Sequence, residues 1–145
     1  MKHIATYALA LLACLSCATD KEEKEISAVA DSFAQRYFGC KYADAQRFCT
    51  ASSEKWIKFV ASNVSDSDLA VLNDAPTDAE FEVTDVDLIG DSIATASIEA
   101  RNYLKQNDIT RHGVLSASDT YRFTLERHNG KWLVSLSSVP LPEKE

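Results

Sequence analysis

Glu99, Arg101 and Tyr103 stand at alternate positions in this 145-residue chain, and no other stretch is better spaced for acid–base chemistry. Alternate residues of a strand share one face, and this row also contains Ile93. If that face closed over an apolar space, Glu99 would be the candidate general base, because a base must meet its substrate away from bulk water. An upstream phase slip leaves the register open, and surface pairing of Glu99 with Arg101 or a neighbour is the competing reading. Other titratable sets are thinner. His112 sits in a loop, His128 beside a turn, and neither has a partner at ligand spacing. Asp66 and Asp68 alternate as in a calcium loop, but the glycine and distal glutamate of such a loop are missing, and helix capping accounts for them. Four glycines offer no phosphate cradle. No catalytic, cofactor or metal residue is therefore assigned.

The four cysteines divide into two pairs. Cys40 and Cys49 flank a short helical pattern, which by rise alone would hold them roughly 12 Å apart. A disulfide needs Cα atoms within about 7 Å, so two free, partly buried thiols are expected. Cys14 and Cys17 lie in "LLACLSCATDKEEKE", where an apolar run turns abruptly charged. Met1, Lys2 and His3 precede about twelve almost wholly apolar residues, Ile4 to Leu15. That is too short for a bilayer core, which takes about twenty, and it has the order of a secretory signal: positive start, apolar run, small residues.

These residues resemble a bacterial lipoprotein signal, in which an aliphatic residue and two small or aliphatic ones precede a cysteine that becomes the new N-terminus. Leu11-Leu12-Ala13-Cys14 also fits, but Cys17 lies at the end of the apolar run and is the assigned lipid-attachment residue. The resemblance implies a diacylglyceryl thioether and an N-acyl chain such as palmitate on Cys17. Several chains, at about 0.8 kcal/mol per buried methylene, anchor a protein firmly without a spanning segment. The Lys21-Glu22-Glu23 run resembles a surface-export signal of Gram-negative lipoproteins, so the outer face of the outer membrane and its periplasmic face both stay open. The organisation expected is a signal peptide over 1–17, a charged tether over 18–24, one domain over 25–140 and a tail over 141–145.

Beyond Cys17 the chain carries 14 basic and 22 acidic side chains, a net charge of −8. Such a surface repels phosphates, which argues against nucleic acid, and it repels anionic headgroups too, so membrane attachment has to come from the lipid. From Lys24, Ile26, Val29, Ala30, Phe33 and Tyr37 form one helical stripe, ended by Gly39. A second helix is predicted over 42–49, burying Ala45 and Phe48. A third is predicted to be capped by Thr50 or Ser52, with Trp56, Phe59 and Val60 inward. Ser65 and Asp68 stand at capping-box spacing for a further turn. After Ala79 the period drops to two, with a bulge at Thr84–Asp85, a strand from Ile93 to Leu104, and a hairpin turning at Asn129-Gly130. One hairpin face collects Tyr121, Phe123, Leu125, Trp132, Val134 and Leu136. Tyr121 reads as a core tyrosine and Arg127 as a cover for Trp132. Residues 105–119, with Arg111 and His112, read as a strand extension in preference to a binding loop.

Helices followed by antiparallel strands make an α+β domain, N-terminal helices packed on a curved sheet. The pieces "YADAQRFCTASSEKWIKFV" and "NGKWLVSLS" look like small lipoproteins of unknown function in the nuclear-transport-factor-two-like superfamily, a cone in which the sheet wraps a long helix. A cystatin-like helix on a sheet is the structural competitor. The resemblance implies a binding or assembly module, with a small apolar ligand in the cone or a protein partner on the sheet, and it admits a homodimer. The alternative it carries is a cone-cavity enzyme of hydrolase, dehydratase or isomerase type. A buried carboxylate in a pocket of a few hundred Å³ would favour the enzyme; a cone plugged by Phe, Trp and Leu would favour binding or assembly.

Overall fold

In a computed structural model of the chain, residues 2–106 and 112–144 are described, with side chains described from Ala18 onward. Arg111 and the side chain of Cys17 lie outside the described set. The stripe that begins at Ile26 belongs to a helix α1 of 37 residues, Lys2–Phe38. Ile26, Ala30, Phe33, Ala34 and Tyr37 are buried along it. The stretch 18–24, expected as a tether, continues this helix, and its Glu22 accepts a 2.6 Å bond from Arg127. No helix among the described residues is long and apolar enough to cross a membrane.

α1 closes one residue later than the position of Gly39 implies. Lys41 N donates to Arg36 O (2.8 Å) and Cys40 N to Tyr37 O (3.2 Å), the pair of bonds that caps a helix through a left-handed residue. That residue is Cys40, at φ 59°. Gly39 serves in another way: a Cβ there would stand 2.8 Å from the Gln35 carbonyl oxygen.

Three short helices follow: α2 (Tyr42–Gln46), α3 (Glu54–Asn63) after a 3-10 turn at Ala51–Ser53, and α4 (Asp66–Asn73). α2 is shorter than predicted, because Phe48, Cys49 and Thr50 leave the helix to run beside the last strand. Val134 N donates to Phe48 O (2.7 Å) and Thr50 N to Val134 O (2.9 Å), which covers that sheet edge. α3 turns Ile57 and Val60 inward with Trp56 partly buried, while Phe59, expected inside, is 40% exposed. The cap position of α3 falls on Ser53, not on the expected Thr50 or Ser52, and neither Ser53 there nor Thr50 ahead of the 3-10 turn makes a side-chain cap bond. The Ser53 hydroxyl is instead buried, where it accepts from Leu136 N at 2.8 Å. α4 carries the full capping box of Ser65 and Asp68.

The sheet contains β1 (Glu80–Ile89), β2 (Ile93–Lys105), β3 (Val114–His128) and β4 (Lys131–Ser135), antiparallel in chain order. The register slips between Val83 and Asp85, where the bulge was expected. Asn129 and Gly130, at φ 51° and 78°, make the two-residue turn, and Arg127 faces Trp132. Strand β3 extends back through residues 114–119, so the second half of the unpatterned stretch is sheet. The apolar face of Tyr121, Phe123, Leu125, Trp132, Val134 and Leu136 is buried against α1. The tail past Leu141 docks as well: Glu143 N donates to Thr120 O, and its carboxylate pairs with Arg122. The α+β class and the helix-on-curved-sheet architecture read from the sequence are those observed.

Candidate functional site

The inner face of β2 decides which titratable groups look into the fold. Ala94, Ala96, Ile98 and Ala100 alternate inward, all fully buried. Asn102 then takes φ 51°, a left-handed conformation that asparagine tolerates better than most residues. The kink breaks the alternation, so Tyr103 and Leu104 are both buried. Tyr103 therefore does not share a face with Glu99 and Arg101, as simple alternation implied. Glu99 lies on the outer face, where it accepts from Ser118 Oγ at 3.1 Å and stands 3.8 Å from Arg101. Arg101 also reaches Glu82 (3.2 Å) and Glu80 (3.6 Å). Surface pairing, the competing reading, describes Glu99; a base inside the cone does not.

The inward titratable group is Asp119, opposite Ala100 on β3. Its Oδ2 accepts from Tyr103 Oη and Ser116 Oγ, both at 2.6 Å, and its Oδ1 accepts from Lys105 Nζ at 2.8 Å. Tyr103 thus commits its proton to Asp119, so in the 2.8 Å contact between the two tyrosine hydroxyls Tyr121 must donate. Burial would raise the Asp119 carboxyl, but the bonds from Lys105, Ser116 and Tyr103 outweigh it and hold the group below its ordinary range. Burial first, then the bonds to Asp119 and Tyr121, push Tyr103 far up. Burial lifts Tyr121 to about 12, against the lowering effect of its bond to Tyr103.

Chemically this is a closed relay. A carboxylate with a depressed pKa, engaged on both oxygens, is a weak base, and both phenolic protons are already given to neighbours. The space on the Tyr121 side of the cluster is small. The recess lined by Tyr37, Cys40, Tyr42, Leu104 and Tyr121 has a volume of about 20 Å³, room for about one water. Aromatic rings occupy the rest: Phe38 packs on Tyr121 (4.8 Å between centroids), Tyr103 (5.2 Å) and Phe81 (5.5 Å), and Phe33 on Phe123 (5.2 Å). Larger recesses are open grooves at the surface: one of about 210 Å³ between β3 and the segment 135–141, and one of about 300 Å³ bordered by Asp119 with Ser118, Thr120, Glu143 and Lys144.

The remaining candidates separate. Asp68 is buried and its Oδ1 accepts from Gly113 N at 2.7 Å, tying α4 to the end of the β2–β3 connection. Burial would raise its carboxyl, yet the bonds from Ser65 and Gly113 prevail and lower it. Asp66 is exposed at the start of the same helix. His128 pairs with Glu126 at 2.9 Å and His112 is exposed. Cys40 and Cys49 are both free. Burial pushes the Cys49 thiol to about 12 and raises Cys40, whose sulfur takes a 3.7 Å contact from the Tyr42 hydroxyl. Among the described residues, no group of three His, Cys, Asp or Glu side chains could hold a metal ion. Arg127 lies over Trp132, 6.0 Å from its ring centroid, as expected.

Asp119 and Lys105 escaped the sequence reading because they fell in the stretch that lacked a pattern. The inward row of Tyr121, Phe123 and Leu125 continues backward in steps of two to Asp119, and following that row would have found it.

No protein-family model matches the chain, and no curated protein matches it. Solved structures do. An NTF-2-like protein of unknown function from Shewanella oneidensis MR-1 superposes with a TM-score of 0.53 over 78% of this chain and 93% of its own, at 6% identity. A ketosteroid isomerase-like protein from Erwinia carotovora atroseptica SCRI1043 gives 0.53 over 79% and 95%, at 16% identity. The fold is nuclear-transport-factor-two-like, and at these identities the likeness is one of fold.

Proposed function

We propose that this nuclear-transport-factor-two-like domain is a lipid-anchored binding or assembly module of the outer membrane, and that its cone is structural core where an enzyme would have a reaction chamber. The observation that carries this reading is the closed relay at Asp119, with a recess of only about 20 Å³ on its Tyr121 side and an open surface groove on the other. To make a ligand-sized chamber, Phe33 or Phe38 would have to leave the core, and removing a buried aromatic side chain costs about 3–5 kcal/mol. The work of the domain then falls to its surface, toward a protein partner or a second copy, or toward a small apolar ligand in an open groove. Attachment rests on the sequence around Cys17, with the outer face or the periplasmic face of the outer membrane as its place.

A second reading has one observation in its favour. Tyr103, Asp119 and Tyr121 form a hydrogen-bonded polar cluster inside a cone, which is where an isomerase, dehydratase or hydrolase of this fold would keep its acid and base. Equilibrium titration with 8-anilinonaphthalene-1-sulfonate separates the two. A filled cone gives no saturable one-to-one binding to the native domain. Stoichiometric binding that is lost in Tyr103→Phe would instead establish a cavity at the cluster and favour the enzyme.

A further inference from the structure

We propose that the end of the domain bearing the two hairpin turns rests on the bilayer, with Ile89 and Ile93 dipping into its interface and the Asp119 end pointing away. The inference rests on the reading of Cys17 as the lipidated residue.

Its basis is the shortness of the connection. Glu22 is already fastened to the domain by its 2.6 Å pairing with Arg127. From Cys17 to Glu22 the chain can reach at most about 18 Å fully extended, and about 7.5 Å as the helix it forms. From Glu22 to Phe38, α1 runs about 24 Å along its axis. The tether is thus shorter than the domain, which cannot turn its far end to the membrane while Glu22 stays docked.

Arg127 marks which end is held. It lies beside the Asn129-Gly130 turn, and its backbone N donates 2.8 Å to Ser92 O, drawing the β1–β2 turn alongside. There Ile89 and Ile93 face each other across the strand pair, 57% and 41% exposed. Two exposed isoleucines at the tip nearest an acyl-bearing cysteine suit the acyl–headgroup boundary. The domain's net charge of −8 would resist an approach driven by anionic headgroups alone, so apolar contact and the short tether must supply the orientation. Tyr103, Tyr121 and Asp119, which pack near the other end of α1, then face away from the membrane.

The test uses the full lipidated chain in phosphatidylcholine vesicles whose acyl chains carry bromine, a contact quencher of tryptophan. Ile93→Trp (with Ile89→Trp as a second probe) reports on the turn end and Leu115→Trp on the opposite end, each read against the parent protein with Trp56 and Trp132. The expected result is loss of the added emission at position 93 or 89 and none at position 115. Protein that floats with the vesicles but is unquenched at 89 and 93, or quenched equally at 115, overturns the orientation and leaves the anchor standing. A chain that keeps Met1 and does not float overturns the anchor itself. A blue shift at position 93 that needs no vesicles and grows with protein concentration would mean that a second copy covers the patch, which also overturns the proposal.

Discussion

Among the described residues, half-buried Asp119 and buried Asp68 are the two carboxylates whose surroundings hold them below the ordinary value of 3.8. Since their folded-state pKa values lie below the unfolded one, the unfolded chain binds more protons as the pH falls past that value. Their contribution is therefore complete above about 3.8 and is lost as the pH drops through the depressed values. Urea midpoints at about pH 6 and about pH 3 should show the protein markedly weaker at the lower pH, with a smaller difference in Asp119→Ala. At neutral pH that variant should lose about 1–3 kcal/mol, because Lys105, Ser116 and Tyr103 each lose an acceptor. An Asp119→Ala midpoint equal to the parent at both pH values would mean the relay is not formed. Glu99 makes the contrasting point. It was the more conspicuous carboxylate in the sequence, but one left-handed residue, Asn102, separates it from Tyr103 and leaves it outside. A strand pattern carries no sign of a single positive φ.

Among the elements, those legible in advance were the ones whose periodicity and turn chemistry agreed. The α1 stripe, the Ser65–Asp68 capping box, the slip near Thr84 and the Asn129-Gly130 turn all follow from local rules. Where tertiary pairing competed with local preference, the local reading was less accurate. Phe48–Thr50 gave up helix for a place beside β4, and the helix-capping role expected near Thr50 became a long-range bond through Ser53. Ser53 is fully buried and joins the α3 start to Leu136, so Ser53→Ala should cost about 1–3 kcal/mol by leaving the Leu136 N–H without its partner. Thermal or urea unfolding measures this directly. A shift no larger than that of an exposed serine such as Ser62→Ala would show that the bond contributes nothing. Lys105 at the end of β2 pairs with Asp119 inside β3, and the sequence between them gave no pattern to bring them together.

For the whole molecule, a long helix is wrapped by a four-stranded sheet until the cone is full. The order of helices and strands made this fold legible, and solved structures with little sequence in common bear it out. The function was less legible, because packing and turn motifs specify a scaffold and leave its partner unstated. The proposed function joins a closed core to a lipidated Cys17, which would stand five residues before Glu22 and its pairing with Arg127. The most direct measurement is the intact mass of the protein purified from its native membrane, with the N-terminal peptide sequenced. The account predicts a chain that begins at Cys17 and carries a diacylglyceryl thioether and an N-acyl chain. A chain that still begins at Met1, or a soluble form cut elsewhere, would contradict it.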